Sequence, residues 1–299
     1  MKKTKKLIMT LLVRDEDDIL EKNIIFHLNQ GVDHIVVTDN DSVDGTRDIL
    51  EKYKKKGVLS YVIESKHTYE QDVWVSNMAK NAIRNYDADY VLHCDADEFW
   101  LSDVGDLKSI IFKESSDILH VPVINYLPPK DTNIDGFNFD NYNYIVSLTR
   151  GCPGVLKDRI SSDLLLYTYP EKIITSKKIV DIGYGNDSAT FNGEIEEKHT
   201  DKIHIHHFPI RNWNQFERKV FNGGSSYKNN PIKNPSIGWH WKSWFRIYKN
   251  GGLYKEYEKI SLKYDFSNYL ENGIVKYSSV PFKIKYADIL RKLHLTFKF

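Results

Sequence analysis

Asp95, Asp97 and Glu98 are the residues whose types and spacing most directly suggest chemistry. They follow at once on the apolar run Tyr90, Val91, Leu92, which reads as a buried strand. Acidic side chains at the carboxyl end of a parallel strand lie in the crevice where open α/β sheets bind ligands. Two carboxylates one residue apart at such an exit can both reach a hard divalent cation, which takes oxygen ligands and leaves positions for phosphate oxygens. The pattern suits a nucleoside diphosphate, against the plainer reading of a solvated acidic turn that caps a helix. A second polar segment, Thr38-Asp39-Asn40-Asp41-Ser42-Val43-Asp44-Gly45-Thr46, closes another strand-like run. Its short side chains can hydrogen-bond a base edge and ribose hydroxyls, with Asp39 read as a ligand contact and Asp44 as a helix cap. Neither a Walker loop nor a G-x-G-x-x-G turn is present, so phosphates would rest on metal and side chains.

Elements that alternate in a βαβ rhythm must hold these acids in place. Runs 7–13, 34–38, 58–63 and 90–94 are short and rich in β-branched or aromatic residues, as strands are. Between them, 15–30 carries Ile19, Leu20, Ile24 and Leu28 on one helical face and closes at Gly31, 44–56 closes at Gly57, and 70–86 reads as a third helix. Run 118–124 is expected to extend the sheet as one strand. After Asn125 the chain loosens into a long loop rich in Pro, Asn and Tyr. Order returns as strands at 172–175 and 202–208 and as helices at 212–227 and 239–249.

Composition narrows the function classes. The 299 residues include 42 Lys+Arg against 41 Asp+Glu, so no global basic field exists to hold a nucleic acid. Cys94 and Cys152 are too few and too far apart for a disulfide framework or a thiolate metal site, which points to a reducing, cytoplasmic setting. Run 7–13 is too short to span a bilayer, and no small-residue cleavage site follows it. The chain is expected to be soluble or to rest peripherally on the inner face of the plasma membrane.

Several separate motifs resemble one family. They are Val13-Arg14-Asp15-Glu16 with Ile19 and Leu20, Gly31-Val32-Asp33-His34-Ile35, the segment 39–46, the acids and Phe99 of 95–99, and His207-Phe208-Pro209 with Arg211, followed by Phe216, Lys219, Asn222, Gly223 and Gly224. In this order they resemble the GT-A glycosyltransferases of the family 2 type, related to bacterial polysaccharide enzymes and to family 92. The resemblance implies an α/β GT-A fold, a mostly parallel central sheet flanked by helices, over 1–225, with a helical C-terminal extension over 226–299. It implies a nucleotide-sugar donor, UDP-sugar or similar, Mn2+ or Mg2+ at the D-x-D, and inverting transfer to a hydroxyl of a saccharide or lipid-linked saccharide. Such a reaction belongs to cell-surface polysaccharide or glycolipid synthesis. Carried onto this chain, Val13 and Arg14 lie beside the base, Asp39 contacts base or ribose, Asp95 and Asp97 hold ribose and metal, and His207 approaches metal or pyrophosphate. Arg211, Arg218 and Lys219 are candidates for pyrophosphate contacts, Arg being the better fork for bidentate binding, with ordinary helix-surface charge the rival reading of Arg218.

Four points stay open in the sequence. Strand alternation over 203–208 puts His204 and His206 on one face and His207 on the other, so either set can face a cleft. The carboxylate base is Asp187, Glu98, Glu194 or Glu196, and where the resemblance leads one to expect Gly-Asn-His the chain has Gly185-Asn186-Asp187. Trp239, Trp241, Trp244 and Phe245 either stack on sugar or pack a helix against the main domain, packing being favoured. The basic, aromatic tail 282–299 is either a membrane-surface element or a docked terminal helix. Two rival functions remain: a sugar-phosphate nucleotidyltransferase, which would need a Gly-rich loop after the first strand, and a non-catalytic carbohydrate-binding protein on the same fold.

Overall fold

The computed structural model describes residues 4–66, 68, 70–129, 137–229, 234, 236–261 and 267–292. β1 (Leu7–Val13) lies mid-sheet because both its faces are apolar: Leu7, Met9, Leu11 and Val13 enter one core cluster and Ile8 a second. It pairs in parallel with β2 (His34–Asp39) and β4 (Tyr90–Asp95), and β3 (Leu59–Ile63) adds to β2. The crossovers are α1 (Leu20–Asn29), α2 (Thr46–Lys55) and α3 (Gln71–Tyr86). β5 (Glu98–Ser102), α4 (Leu107–Glu114), β6 (Ile118–Val121), β7 (Val123–Asn125) and β8 (Tyr144–Val146) follow. Then come β9 (Lys172–Ser176), β10 (Ile179–Ile182), β11 (Ala189–Phe191), β12 (Glu197–His199) and β13 (Ile203–His207).

Among the described residues the main sheet runs β12-β6-β9-β4-β1-β2-β3, with β9 antiparallel to both of its neighbours. A second sheet, β5-β13-β7, carries the strand after the acids against the histidine-rich strand. The expected single strand over 118–124 is two strands in two sheets. Pro122 separates them, since its missing N–H and fixed φ end β6 and let β7 join β13. The first helix begins at Leu20, five residues later than the sequence suggests. Asp15 sits in left-handed backbone at φ 54 and accepts from Val43 N at 2.8 Å, so this stretch binds the 39–46 loop instead of starting a helix.

The C-terminal part is α5 (Trp213–Asn229), α6 (Trp239–Lys249), α7 (Leu253–Ile260), α8 (Ser267–Glu271), β14 (Val275–Tyr277) and α9 (Val280–Lys292). α5 runs through residue 225, so the expected domain boundary falls inside a helix. β14 pairs with β8, and Leu127, Val146 and Leu165 share a core cluster with Trp244, Tyr257 and Val275. The extension is therefore mainly helical but packed into the body of the fold. α9 docks on α1, buries Ile284 in the main core and ion-pairs Asp140 through Lys285. The rest of the tail, 293–299, lies outside the described residues. Among the described residues no helix is long and apolar enough to cross a membrane.

Candidate active site

β4 ends at Asp95, Ala96 and Asp97 form the turn, and Glu98 opens β5. The turn is clamped from below by Asn23 of α1, fully buried, whose Nδ2 donates to the carbonyls of Ala96 (3.0 Å) and Glu98 (2.7 Å). His27, one turn on, donates from Nδ1 to the Asn23 carbonyl at 3.0 Å and accepts at Nε2 from Trp100 N at 3.3 Å. Neither residue was singled out in the sequence, although Leu20, Asn23, Ile24, His27 and Leu28 fall on one helical face. Two polar residues inside an apolar stripe were the available signal.

The acids are partnered from the second half of the chain. Lys172, at the start of β9, reaches Asp95 Oδ2 at 2.5 Å and also meets Glu98. Lys219 of α5 reaches Asp97 Oδ2 at 2.5 Å and Glu16 at 3.4 Å. Burial alone would raise the Asp97 carboxyl, but Lys219 and Arg211 outweigh it and hold it well below the usual carboxylate range. Glu98 is pushed the other way, up to about 8, by burial and by Asp95 and Asp97, against the pull of Lys172.

The histidine alternation resolves in favour of His207. His206 is buried on the far face against Tyr126 (Nδ1 to OH, 3.1 Å), and His204 meets Asp103. His207 Nδ1 lies 2.8 Å from Asn125 Oδ1, and Asn125 Nδ2 donates to the Leu165 carbonyl at 3.3 Å, which fixes that amide. Nδ1 therefore carries the proton, and Nε2, 3.6 Å from Asp97 Oδ1, presents a lone pair. Burial lowers His207 to about 4, against the pull of Asp97.

A cavity of about 530 Å³ opens over this turn. Val13, Arg14 and Asn40 line one side, Asp95, Asp97, Lys172, His207 and Lys219 its floor, and Tyr169, Trp239 and Trp241 another wall. Of the candidate bases, Asp187 lines it, in a loop tied to the turn by Asn186 Nδ2 to Asp95 Oδ1 at 3.4 Å. Glu194 and Glu196 are exposed and Glu98 is fully buried, and none of the three lines the cavity. Trp244 is core, while Gly224 of α5 leaves room for α6: a Cβ there would stand 2.3 Å from Phe245. The cluster thus does both jobs, packing one helix on another and turning Trp239 and Trp241 to the cavity.

Two expected contacts sit elsewhere. Asp39 is fully buried, accepting from Ser42 N (3.0 Å) and Arg47 Nε (2.8 Å), and it is Asn40, one residue on, that faces the cavity. Arg211 is also fully buried, with Nε 2.6 Å from Asp18 and Nη2 on both Asp18 and Glu16. Its fork is filled by carboxylates of the 14–18 loop and does not face the cavity.

Four buried histidines make acid lability an expected property. Burial lowers His27 and His207 to about 4 and His93 and His206 to about 3. Their ordinary value is near 6.5, so between pH 6.5 and 4 the unfolded chain binds protons that the native state refuses, and stability falls as pH falls. Glu16 and Glu98, both raised by burial, work in the opposite direction with fewer protons. Urea unfolding should show a net loss of about 3 kcal/mol between pH 6.5 and 5. A flat profile would mean that these imidazoles charge freely in the native state.

Comparison with known proteins agrees with the geometry. No curated protein matches the chain by sequence. Among solved structures, S. aureus TarS 1-349 in complex with UDP is 14% identical, with 89% of this chain and 75% of that one covered at a TM-score of 0.43. HddC from Yersinia pseudotuberculosis is 16% identical (72% and 97% covered, TM-score 0.36). Glucosyl-3-phosphoglycerate synthase from Mycobacterium tuberculosis, in complex with Mn2+, UDP and glucosyl-3-phosphoglycerate, is 14% identical (58% and 57% covered, TM-score 0.31). At these TM-scores the likeness carries no weight for substrate or mechanism. The family model described as glycosyl transferase family 2 matches residues 13–131, from the end of β1 through the acid turn and past β7. With the mostly parallel sheet and the acids at the exit of β4, that match over less than half of the chain shows a GT-A core in its first part.

Proposed function

We propose that the protein transfers a sugar from a nucleoside diphosphate donor, UDP-sugar being the leading candidate, to a saccharide hydroxyl, with inversion and with a divalent metal at the acid turn. The observation that carries this reading is the pair Asp97 Oδ1 and His207 Nε2, 3.6 Å apart with no proton between them. Lys219 already stands 2.5 Å from Asp97 Oδ2, but the facing lone pairs of Oδ1 and Nε2 at the cavity floor are joined only by a cation that both can ligate. A carboxylate oxygen and a neutral imidazole are suitable ligands for Mn2+, with Asp95 at hand on the same turn. When bound, the metal neutralises charge growing on the departing diphosphate.

The chain's own residues supply the rest of the reaction. Lys219 and Lys172, paired with Asp97 and Asp95 at the cavity floor, offer ammonium groups to phosphate oxygens. Arg14 and Asn40 bound the base pocket, and the Arg14 Nε is buried without a partner, a donor that a bound base or ribose can use. Asp187 is the proposed base that accepts the proton of the attacking hydroxyl. The faces of Trp239 and Trp241 suit an acceptor pyranose. A nucleotidyltransferase is disfavoured because the loop after β1 is acidic, lacks glycine and is consumed by Arg211, Arg218 and Asn222.

The test is a thermal-shift screen of nucleotide sugars with Mn2+ or with chelator. A ligand at about one hundred times its Kd should add about 2.7 kcal/mol of native stability, and here only with metal present. An unchanged shift in chelator would remove the metal from the reading. In the same screen His207→Ala should lose most of the metal-dependent shift, and in a transfer assay about 100-fold or more in turnover, with a smaller drop in melting temperature than His206→Ala. His206→Ala should do the reverse, since it opens a cavity behind Tyr126.

A further inference from the structure

At the far edge of the main sheet, three adjacent strands bring four metal-ligating side chains to one face. His199 of β12 is the register partner of His120 of β6, and His120 is opposite Ile173 of β9. Glu197, two residues before His199, and Glu171, two before Ile173, therefore share that face, since side chains alternate with a period of two. The two imidazoles stack with centroids 4.6 Å apart and planes 16° from parallel. His120 Nε2 is 3.0 Å from Glu197 Oε2, and His199 Nδ1 is 2.5 Å from Glu171 Oε2. Ligand atoms of His120, Glu171 and His199 all lie within 4.8 Å of one another. None of the four lines the active-site cavity.

We infer that His120, His199 and Glu171, with Glu197 as a fourth ligand, form a second metal site, separate from the acid turn and selective for zinc-like ions. Two imidazoles with carboxylates are a donor set that Zn2+ takes in tetrahedral geometry, at about 2.0–2.2 Å per ligand. Such ligands stand roughly 3.3 Å from each other, from the same bond lengths. Two of the spacings here are already at or below that value. The remaining closure falls to His199 and Glu171, whose side chains are 72% and 36% exposed. The occupied site joins the edge strand β12 and the strand β6 to the residue that precedes Lys172. It acts as a staple on the sheet edge and takes no part in the transfer.

Titration of the full chain with ZnCl2, followed by calorimetry and by melting temperature, tests this. Wild type and Asp97→Asn should share one zinc equivalent that raises the melting temperature, beside any zinc the acid turn takes in wild type, because Asp97→Asn alters only that other centre. His199→Ala and Glu171→Gln should weaken that equivalent by at least about tenfold. His199 is exposed, so its variant keeps the fold even if a His120 variant does not. Equal zinc stoichiometry, affinity and melting shift in wild type and His199→Ala would overturn the site. Loss of the equivalent in Asp97→Asn alone would assign the zinc to the acid turn. Neither result bears on whether the acid turn binds a nucleotide sugar, so this proposal and the functional one fail separately.

Discussion

Asp97→Asn is expected to lower sugar transfer by about 10²–10³-fold, the scale seen when one preorganised electrostatic partner of a developing charge is removed. The side chain keeps its volume and loses only its charge, so the effect isolates the carboxylate. At a strand exit such a residue would ordinarily be solvated, and removing it would leave stability untouched. Here it is buried, holds Lys219 at 2.5 Å and lies 3.9 Å from Arg211. Loss of a charged hydrogen bond in that setting should also cost about 1–3 kcal/mol of stability in urea unfolding. Lys219, raised to about 12 chiefly by Asp97 and Glu16 against burial, keeps Glu16 as a partner, and this limits the damage. Turnover within tenfold of wild type, with the stability loss present, would reduce Asp97 to a structural anchor for Lys219.

The first half of the fold was legible because its signals are local. β1, β2, β3 and β4 are short apolar runs, and the turn Asp95 to Glu98 follows one of them directly. What was not legible depends on partners far along the chain. Lys172 meets Asp95 only because β9 inserts antiparallel between β4 and β6, which no local pattern announces. β5 is fully buried, yet Phe99, Trp100 and Leu101 make an apolar run too short to separate from the acid turn before it. At Asp39 the error is one residue. The last position of β2 turns toward α2 and pairs with Arg47, and the chain must bend before a side chain can face the cavity, which falls to Asn40. For the histidines, period-two reasoning framed the alternatives correctly, and the choice between faces came from register: His207 is opposite Glu98, at the start of the strand that leaves the acid turn.

The other large expected effect concerns Arg211, and it separates two roles that its sequence position allows. As a phosphate contact, its replacement would weaken donor binding and spare the fold. The structure instead closes it off: its side chain is wholly buried, its guanidinium spans Asp18 and Glu16, and its carbonyl accepts from Tyr142 OH at 2.6 Å. The pair ties the loop after β1 to the stretch between β13 and α5, two parts of the cavity rim. Arg211→Met should therefore destabilise the protein by about 3–5 kcal/mol, because Asp18 and Glu16 lose the cation that bridges them, with only Lys219 left beside Glu16. Arg211→Lys should recover little, since one ammonium cannot reproduce a fork that meets two acids. The pH dependence gives a further check. Glu16 is already raised by burial, and without Arg211 both acids will take up protons more readily, so the penalty should shrink as pH falls and the carboxyls become neutral. An Arg211→Met protein that unfolds within about 1 kcal/mol of wild type yet loses nucleotide affinity would show instead that the guanidinium leaves its acids to hold the diphosphate.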